Sequence, residues 1–411
     1  MSAIEKFQNQ VGRGEVNWKP GSDSGLEKLG EDFYNAINFG FGNVGIVITN
    51  EGVVVIDSTI SRTGGKAIVD EITKMTDQPI KYLIYTHGHG DHVGGASVFK
   101  ENGATVISHR NVIERFNRYT KLRDHHVAIN SMQFKRNIRI KNEYIYPDIV
   151  YDFEYTFELG GKTFRLLHGK GETDDATVVY IPEDRICYSG DFIVWSFPNI
   201  GNPNKVLRYE REWYEMLDRI LKLDPKAIAP GHGRSLLGNE EVQACLSDTS
   251  AVLKYLHEEC VMHINQGSSL DKMLHEISIP ETLVNSKYLK QTYGCLEFAI
   301  KGIYRRYTGW YDGNPTNLSP SPSKEVNRAI LELIGNQDQI IEHARRFETE
   351  GNPQLALHLI DLILIENPNN KEIHAFKGEI LEKMSTASSN LFFRNFYSVS
   401  AKHEKELANN S

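Results

Sequence analysis

Residues 85–95 of this 411-residue chain read YTHGHGDHVGG and directly follow an apolar run that predicts a short strand. Four side chains of metal-binding type lie here within six positions: His87, His89, Asp91 and His92. The first two histidines alternate in phase, so both can contact one ion. The aspartate and the last histidine follow a glycine that lets the chain turn, and they can face a second ion. A polar surface loop is the other interpretation, but this density of ligands among glycines favours a metal centre.

Short strands joined by turn residues surround this pattern. Turn residues flanked by β-rich runs predict three hairpins, over residues 43–58, 155–168 and 177–191. Further strands are predicted at 81–87, 104–109 and 226–232, and helices at 64–76 and 213–223. Strands and helices therefore alternate up to about residue 235, which predicts a layered α/β fold with sheet packed on sheet and helices outside.

The second half of the chain has helical spacing. Residues 240–267 predict a long helix, and from residue 324 onward two helical hairpins are predicted. Residues 308–323 are rich in Pro, Gly and Ser and predict a connector. We therefore expect an α/β catalytic domain over residues 1–238 and an all-α domain over residues 239–411.

Charge and cysteine content exclude several classes of protein. Fifty-four acidic against 46 basic side chains give a formal charge of −8, which argues against nucleic acid and anionic lipid as partners. The four cysteines lack the C-x-x-C spacing and the density of a disulfide scaffold, which fits a reducing compartment. The first residues lack a signal-peptide core, and no apolar stretch is long enough for a membrane span. A soluble cytoplasmic protein is the expectation.

The pattern at 85–95 resembles the H-x-H-x-D-H signature of the metallo-β-lactamase superfamily. Three later elements match further ligand positions of that family in order: Gly171-Glu172-Thr173, Gly190-Asp191 and Pro230-Gly231-His232-Gly233. The family usually has histidine at the first of these, where this chain has Glu172; His168, four residues earlier, is the alternative ligand. The resemblance spans about residues 30–235 and implies an αββα metallo-β-lactamase sandwich followed by the all-α domain.

The resemblance implies two adjacent metal ions. One ion would be held by His87, His89 and Glu172, the other by Asp91, His92 and His232, with Asp191 bridging both. Mixed imidazole and carboxylate ligands suit zinc, two ions per chain, while manganese and iron stay open. A water molecule between two dications is acidified towards neutrality, and Asp91 is the expected catalytic residue that orients it or accepts its proton.

Two stretches of the second half resemble one branch of the superfamily, the alkyl-sulfatase-like proteins. Residues 303–320 contain Gly-Trp-Tyr-Asp-Gly-Asn-Pro, which is similar to an element of that branch, and residues 355–407 are similar to its helical dimerisation region. The resemblance implies a hydrolase that cleaves alkyl sulfate esters to alcohol and inorganic sulfate through a metal-activated water. It also implies a homodimer through the C-terminal helices.

A sulfate ester needs cationic or amide donors for its oxygens and an apolar wall for its chain. Arg208 and Lys205 match a basic pair of the branch, and Asn199 matches an asparagine, so these three are the expected substrate-binding residues. Arg208 can instead pair with Glu210 or Glu212 on a helix face. Trp310 and Tyr311 can line the apolar side or pack between domains.

Some positions depart from the branch and leave other functions open. Pro198 stands where the branch has a histidine associated with sulfate binding or leaving-group protonation, and Asp191 stands in a Gly-Asp-Phe string where the branch has Ala-Glu-Asn. Both departures resemble the general superfamily. The alternative is therefore a hydrolase of another ester class, a lactone, thioester, phosphoester or β-lactam; a redox or non-catalytic role is a third hypothesis.

Overall fold

The computed structural model describes residues 20–136 and 144–409, and these fall into two compact units. The larger unit contains the described residues up to 123 and from 144 to 309, and the smaller contains 124–136 and 310–409. The compact units do not follow the expected division at 238/239, because the helices that follow residue 238 belong to the larger unit up to 309. The two folding domains proposed from the sequence therefore stay a prediction.

The described strands form two sheets, both in the larger unit. The first sheet has the order of the chain: β1 Gly25–Gly30, β2 Phe33–Ile37, β3 Val44–Thr49, β4 Gly52–Ile56, β5 Ile80–Ile84, β6 Thr105–His109 and β7 Ile149–Tyr151. Strands β1 to β4 pair antiparallel and β4 to β7 parallel. The second sheet consists of β8 Glu154–Leu159, β9 Lys162–His168, β10 Thr177–Ile181, β11 Ile186–Gly190, β12 Ala227–Pro230 and β13 Leu236–Leu237. It is antiparallel except where β11 pairs with β12.

The described helices lie between and after these strands. Those of the larger unit are α1 Arg62–Met75, α2 Gly90–Val93, α3 Ala96–Glu101, α4 Asn111–Lys121, α6 Glu210–Leu223, α7 Asn239–Asn265, α8 Leu270–Glu276, α9 Glu281–Val284 and α10 Leu296–Tyr307. Those of the smaller unit are α5 Arg123–Phe134, which begins one residue before the division, and α11 Ser323–Ile334, α12 Gln337–Thr349, α13 Pro353–Glu366, α14 Lys371–Ala387 and α15 Leu391–Asn409. Among the described residues, no helix combines the length and the apolar character needed to cross a bilayer.

Three layers of apolar side chains hold the larger unit together. Val47 and Val54 of the first sheet and Phe164 of the second belong to one buried cluster, so the sheets pack face to face. A second cluster covers the other face of the first sheet and includes Ile68 of α1. A third covers the other face of the second sheet and includes Trp213 of α6. The layers are helix, sheet, sheet and helix, which confirms the predicted fold class.

The predicted hairpins all form, because their turns are encoded locally. Gly160 and Gly161 join β8 to β9 with φ of 54° and 78°, the left-handed backbone that a two-residue hairpin turn requires. The predicted strands and helices of the first half are present with shifts of a few residues at their ends. No pattern in the sequence predicted strands β1 and β2 or helices α4 and α5.

Candidate metal centre

All seven predicted metal ligands lie at the carboxyl ends of strands or in the loops that follow them. His87 and His89 follow β5, and Asp91 and His92 lie in the one-turn helix α2 just beyond. Glu172 lies in the loop between β9 and β10. Asp191 directly follows β11, and His232 lies two residues after the end of β12. These two strands are parallel neighbours whose ends meet at one sheet edge. The topology therefore brings all these loops together at one end of the sandwich.

The structure gathers these side chains into two groups. The first ligand group is His87, His89, Glu172 and Asp191, and the second ligand group is Asp91, His92 and His232. Within each group the ligand atoms lie within 4.8 Å of one another. His87 Nε2 is 2.8 Å from His89 Nδ1, and His92 Nε2 is 3.4 Å from His232 Nε2. Each group thus presents converging nitrogen and oxygen donors.

Asp191 connects the two groups. Its Oδ2 is 3.6 Å from His87 Nε2, while its Oδ1 is 3.4 Å from His92 Nε2 and 3.5 Å from His232 Nε2. Oδ1 is buried and accepts no hydrogen bond from a described residue. A Cβ at Gly231 would lie 2.0 Å from this oxygen, so glycine is needed there to leave it room. Burying a carboxylate oxygen without a hydrogen-bond donor costs desolvation free energy, and a bound cation would compensate this cost.

The ring nitrogens that face away from the groups are occupied by protein atoms. His87 Nδ1 lies 3.1 Å from Thr86 Oγ1, and His92 Nδ1 lies 2.8 Å from Asp57 Oδ2. His232 Nδ1 lies 3.0 Å from the carbonyl oxygen of Phe41. Such outer contacts fix the orientation of a ligating imidazole and leave its other nitrogen for the ion. The donor set and its support therefore fit a divalent metal.

Burial also sets the protonation of the two histidines in the first ligand group. It lowers the pKa of His87 and of His89 well below the usual range of imidazole, and neighbouring positive charges add to the effect. Both rings are therefore neutral at pH 7, the state in which imidazole binds a metal.

Sequence analysis missed Asp57, which supports the second ligand group. Its carboxylate is buried and accepts hydrogen bonds from Thr86 N and Thr86 Oγ1, both at 2.7 Å, as well as contacting His92. Asp57 directly follows the apolar strand β4 and has a left-handed φ of 66°. An acid at the end of a fully apolar strand was the signal that could have identified it.

The alternative ligand His168 lies outside both groups. Its Nδ1 is 2.9 Å from the carbonyl oxygen of Ala176, and its ring stacks on His109 with centroids 3.6 Å apart. Burial, together with His109, lowers the pKa of His168 to about 4. Glu172 rather than His168 is the side chain that the fold places beside His89, with Oε2 3.8 Å from Nδ1.

Two of the three predicted substrate-binding residues contact a predicted metal ligand. The buried guanidinium of Arg208 donates from Nη1 to Glu172 Oε1, and Asn199 Nδ2 donates to the same oxygen at 3.2 Å. Burial lowers the pKa of Lys205 to about 7, and the charge of Asp91 acts in the opposite direction. Arg208 and Asn199 thus converge on the first ligand group, while Lys205 interacts electrostatically with a member of the second.

The local alternative for Arg208 is wrong. Glu210 and Glu212 pair instead with Arg306 of α10, at 2.9 Å and 2.7 Å. The aromatic pair Trp310 and Tyr311 belongs to the smaller unit and is exposed, by 76% and 40%. No contact described for either residue assigns it to an apolar substrate wall.

Comparisons with known proteins agree with this geometry. A family model described as metallo-beta-lactamase superfamily matches residues 37–232, and one described as alkyl sulfatase dimerisation matches residues 269–407. A linear primary-alkylsulfatase of Pseudomonas is 24% identical over 381 residues, covering 85% of this chain and 72% of the relative. An (R)-specific secondary-alkylsulfatase of Pseudomonas is 24% identical over 412 residues, covering 92% of this chain. The chain spans 62% of the length of that second relative.

A solved structure has the same fold. The sec-alkylsulfatase Pisa1 of Pseudomonas superimposes with a TM-score of 0.81 at 21% identity, over 94% of this chain and 66% of the solved one. Together with the two family models, this confirms the resemblance inferred from the sequence. The chain therefore has a metallo-β-lactamase domain followed by an alkyl sulfatase dimerisation domain, and the relatives that match most of its length are alkylsulfatases.

Proposed function

We propose that this chain is a binuclear zinc hydrolase that cleaves alkyl sulfate esters to alcohol and inorganic sulfate. The observation that carries the proposal is the convergence of seven nitrogen and oxygen ligands in two groups joined by Asp191. The substrate class is supported by the alkyl sulfatase dimerisation model and by relatives named alkylsulfatases.

The protein side chains divide the chemistry among them. Two bound zinc ions would acidify a water molecule and offset negative charge on the sulfate. The Asp91 carboxylate, 3.4 Å from His232 Nε2, would orient that water or accept its proton. Lys205, Arg208 and Asn199 supply cationic and amide donors for the sulfate oxygens.

A sulfate-release assay tests this function. With a medium-chain alkyl sulfate as substrate, we expect the zinc-loaded protein to release inorganic sulfate, and we expect His89→Ala to reduce the rate by at least about 100-fold because a ligand is lost. His275→Ala is the matched control, since that histidine is exposed and should leave the rate unchanged. Stripping the metal with a chelator should abolish the activity, and adding zinc should restore it. Full activity without metal would refute the proposal.

A second candidate function is hydrolysis of another ester class. It is favoured by Pro198, since proline can neither bind sulfate through a ring nitrogen nor protonate a leaving group. A panel of lactone, thioester, phosphoester and β-lactam substrates separates the two candidates. Turnover of one of these with no sulfate release would replace the first proposal with the second.

We further propose a homodimer formed through the helices of the smaller unit. The alkyl sulfatase dimerisation model covers α11 to α14 and most of α15, and Val326, Ile330 and Leu333 expose apolar side chains along one face of α11. Leu333 is 90% exposed. Light scattering should give twice the mass of the chain, and Leu333→Glu should shift it towards the monomer, unlike Leu237→Glu on the larger unit. A wild-type protein with the mass of one chain would contradict this.

A further inference from the structure

A buried ion pair lies directly behind the first ligand group. Arg115 lies in α4, a helix between the histidine loop and the loop of Glu172 in the sequence. Its side chain is only 4% exposed. Its Nε donates to Asp175 Oδ1 at 2.9 Å, and its Nη2 pairs with Asp174. Asp175 is completely buried. An apolar pair of similar size is often no less stable than a buried ion pair. Stability alone therefore does not explain why these two charges are buried.

The second oxygen of Asp175 contacts the histidine loop. Asp175 Oδ2 accepts a hydrogen bond from the backbone N–H of Gly88 at 2.7 Å. Gly88 stands between His87 and His89, and Asp175 lies three residues after Glu172. One carboxylate therefore fastens the loop of two histidine ligands to the loop of the glutamate ligand, and Arg115 fixes the direction of that carboxylate.

The fit around Gly88 is tight. A Cβ at this position would lie 2.8 Å from Arg115 Cδ and 3.1 Å from Asp175 Oδ2. The side chains of Arg115 and Asp175 therefore fill the space that a side chain at position 88 would need, beside the backbone that carries the two histidines. A shift of either side chain changes the space in which that backbone sits.

The second ligand group has a different support. Asn43 Nδ2 donates to the carbonyl oxygens of Pro230 and Gly233, at 3.0 Å and 2.8 Å, and the Asn43 amide donates to Gly231 at 2.9 Å. These three hydrogen bonds, two from the side-chain nitrogen and one from the backbone N–H of Asn43, hold the loop that carries His232. The hydrogen bonds of Asn43 and of Arg115 share no residue, so each ligand group has an anchor of its own in addition to the Thr86 and Asp57 contacts that support both.

We propose that the Arg115–Asp175 ion pair is a positioning device that sets the metal affinity of the first ligand group and leaves that of the second unchanged. This rests on the metal binding assumed in the proposed function and is independent of the substrate. Contacts that orient metal ligands typically change affinity about 10- to 100-fold when they are removed.

The test is a pair of isosteric variants at neighbouring positions. Asparagine at 175 has one carbonyl oxygen and cannot accept from both Gly88 N and Arg115 Nε, so Asp175→Asn breaks one of the two links. Asp174→Asn removes the same charge from the same guanidinium, but no contact described for Asp174 reaches Gly88. Zinc affinities are measured by competition with a chromogenic chelator, using the full-length protein and far-UV circular dichroism to confirm folding.

We expect Asp175→Asn to weaken one of the two zinc equivalents at least about 10-fold and to leave the other within twofold, while Asp174→Asn leaves both unchanged. If Asp175→Asn does not fold, Arg115→Lys, which keeps the charge but not the forked donor, should show the same selective loss. Unchanged affinities, equal weakening of both ions, or the same loss in Asp174→Asn would overturn the proposal. Because the readout is zinc binding, a wild type that binds two ions without releasing sulfate would refute the proposed function alone.

Discussion

Asp191→Asn should lower kcat for sulfate release by about 1,000-fold, which corresponds to about 4 kcal/mol of transition-state stabilisation. The reason is the position of this carboxylate between the two ligand groups, with Oδ2 towards His87 and Oδ1 towards His92 and His232. Asparagine keeps the size of the side chain and one oxygen, but it loses the negative charge that would offset the two proposed dications. Its amide group would also direct two hydrogens towards the proposed position of the metal ions.

The measurement is kcat at saturating substrate and zinc, with the metal content of the purified variant determined in parallel. Asp152→Asn is the control, because this aspartate is exposed and pairs with Arg110 on the surface. The control should stay within twofold of the wild type. A rate for Asp191→Asn within tenfold of the wild type, with two zinc ions retained, would show that the bridging carboxylate is not needed.

Residues of the candidate site that are close together in the sequence could be predicted, and those that are far apart could not be predicted from local patterns. The predicted ligands at 87 to 92 lie within six positions of one another, so their types and phase single them out in the sequence. Glu172, Asp191 and His232 are isolated single residues, and the resemblance to a family was needed to select them. The pairing of β11 with β12 and the packing of the two sheets bring them together. No local sequence pattern predicts either contact.

The supporting residues were harder to predict for the same reason. Asp57 is 35 positions from His92, and Arg115 is 60 positions from Asp175. The alternative that Arg208 pairs with Glu210 or Glu212 was wrong. It was based on the rule that oppositely charged neighbours on one helix face attract each other. In the fold, Arg306 arrives from α10 and takes both glutamates, which leaves Arg208 for Glu172.

The fold itself was predicted best where turn chemistry is local. The hairpins over 43–58, 155–168 and 177–191 carry their own turn residues and form as expected. Strand β1 mixes glycine, charged and apolar residues and pairs with β2 through an irregular register, so neither alternation nor a clean turn marks it. The cytoplasmic location and the absence of nucleic-acid partners stay predictions.

Trp213→Ala should lower the free energy of unfolding of the larger unit by about 3–5 kcal/mol, the cost of removing a large buried aromatic side chain. Trp213 is 1% exposed and lies in the apolar layer between the second sheet and its helices. Its Nε1 donates to the carbonyl oxygen of Phe192 at 3.2 Å, and a Cβ at Gly171 would meet its ring at 3.4 Å. These two neighbours directly adjoin the ligands Asp191 and Glu172.

Urea unfolding followed by far-UV circular dichroism measures this loss, with Trp310→Ala as the control. Trp310 is 76% exposed, so its removal should change the free energy of unfolding by no more than about 0.5 kcal/mol. The cavity left by Trp213 also frees Phe192 and Gly171 to move, so we expect weaker zinc binding in the folded variant. Equal unfolding midpoints for the two tryptophan variants would contradict the packing described for α6 and, with it, the way this helix supports both ligand loops.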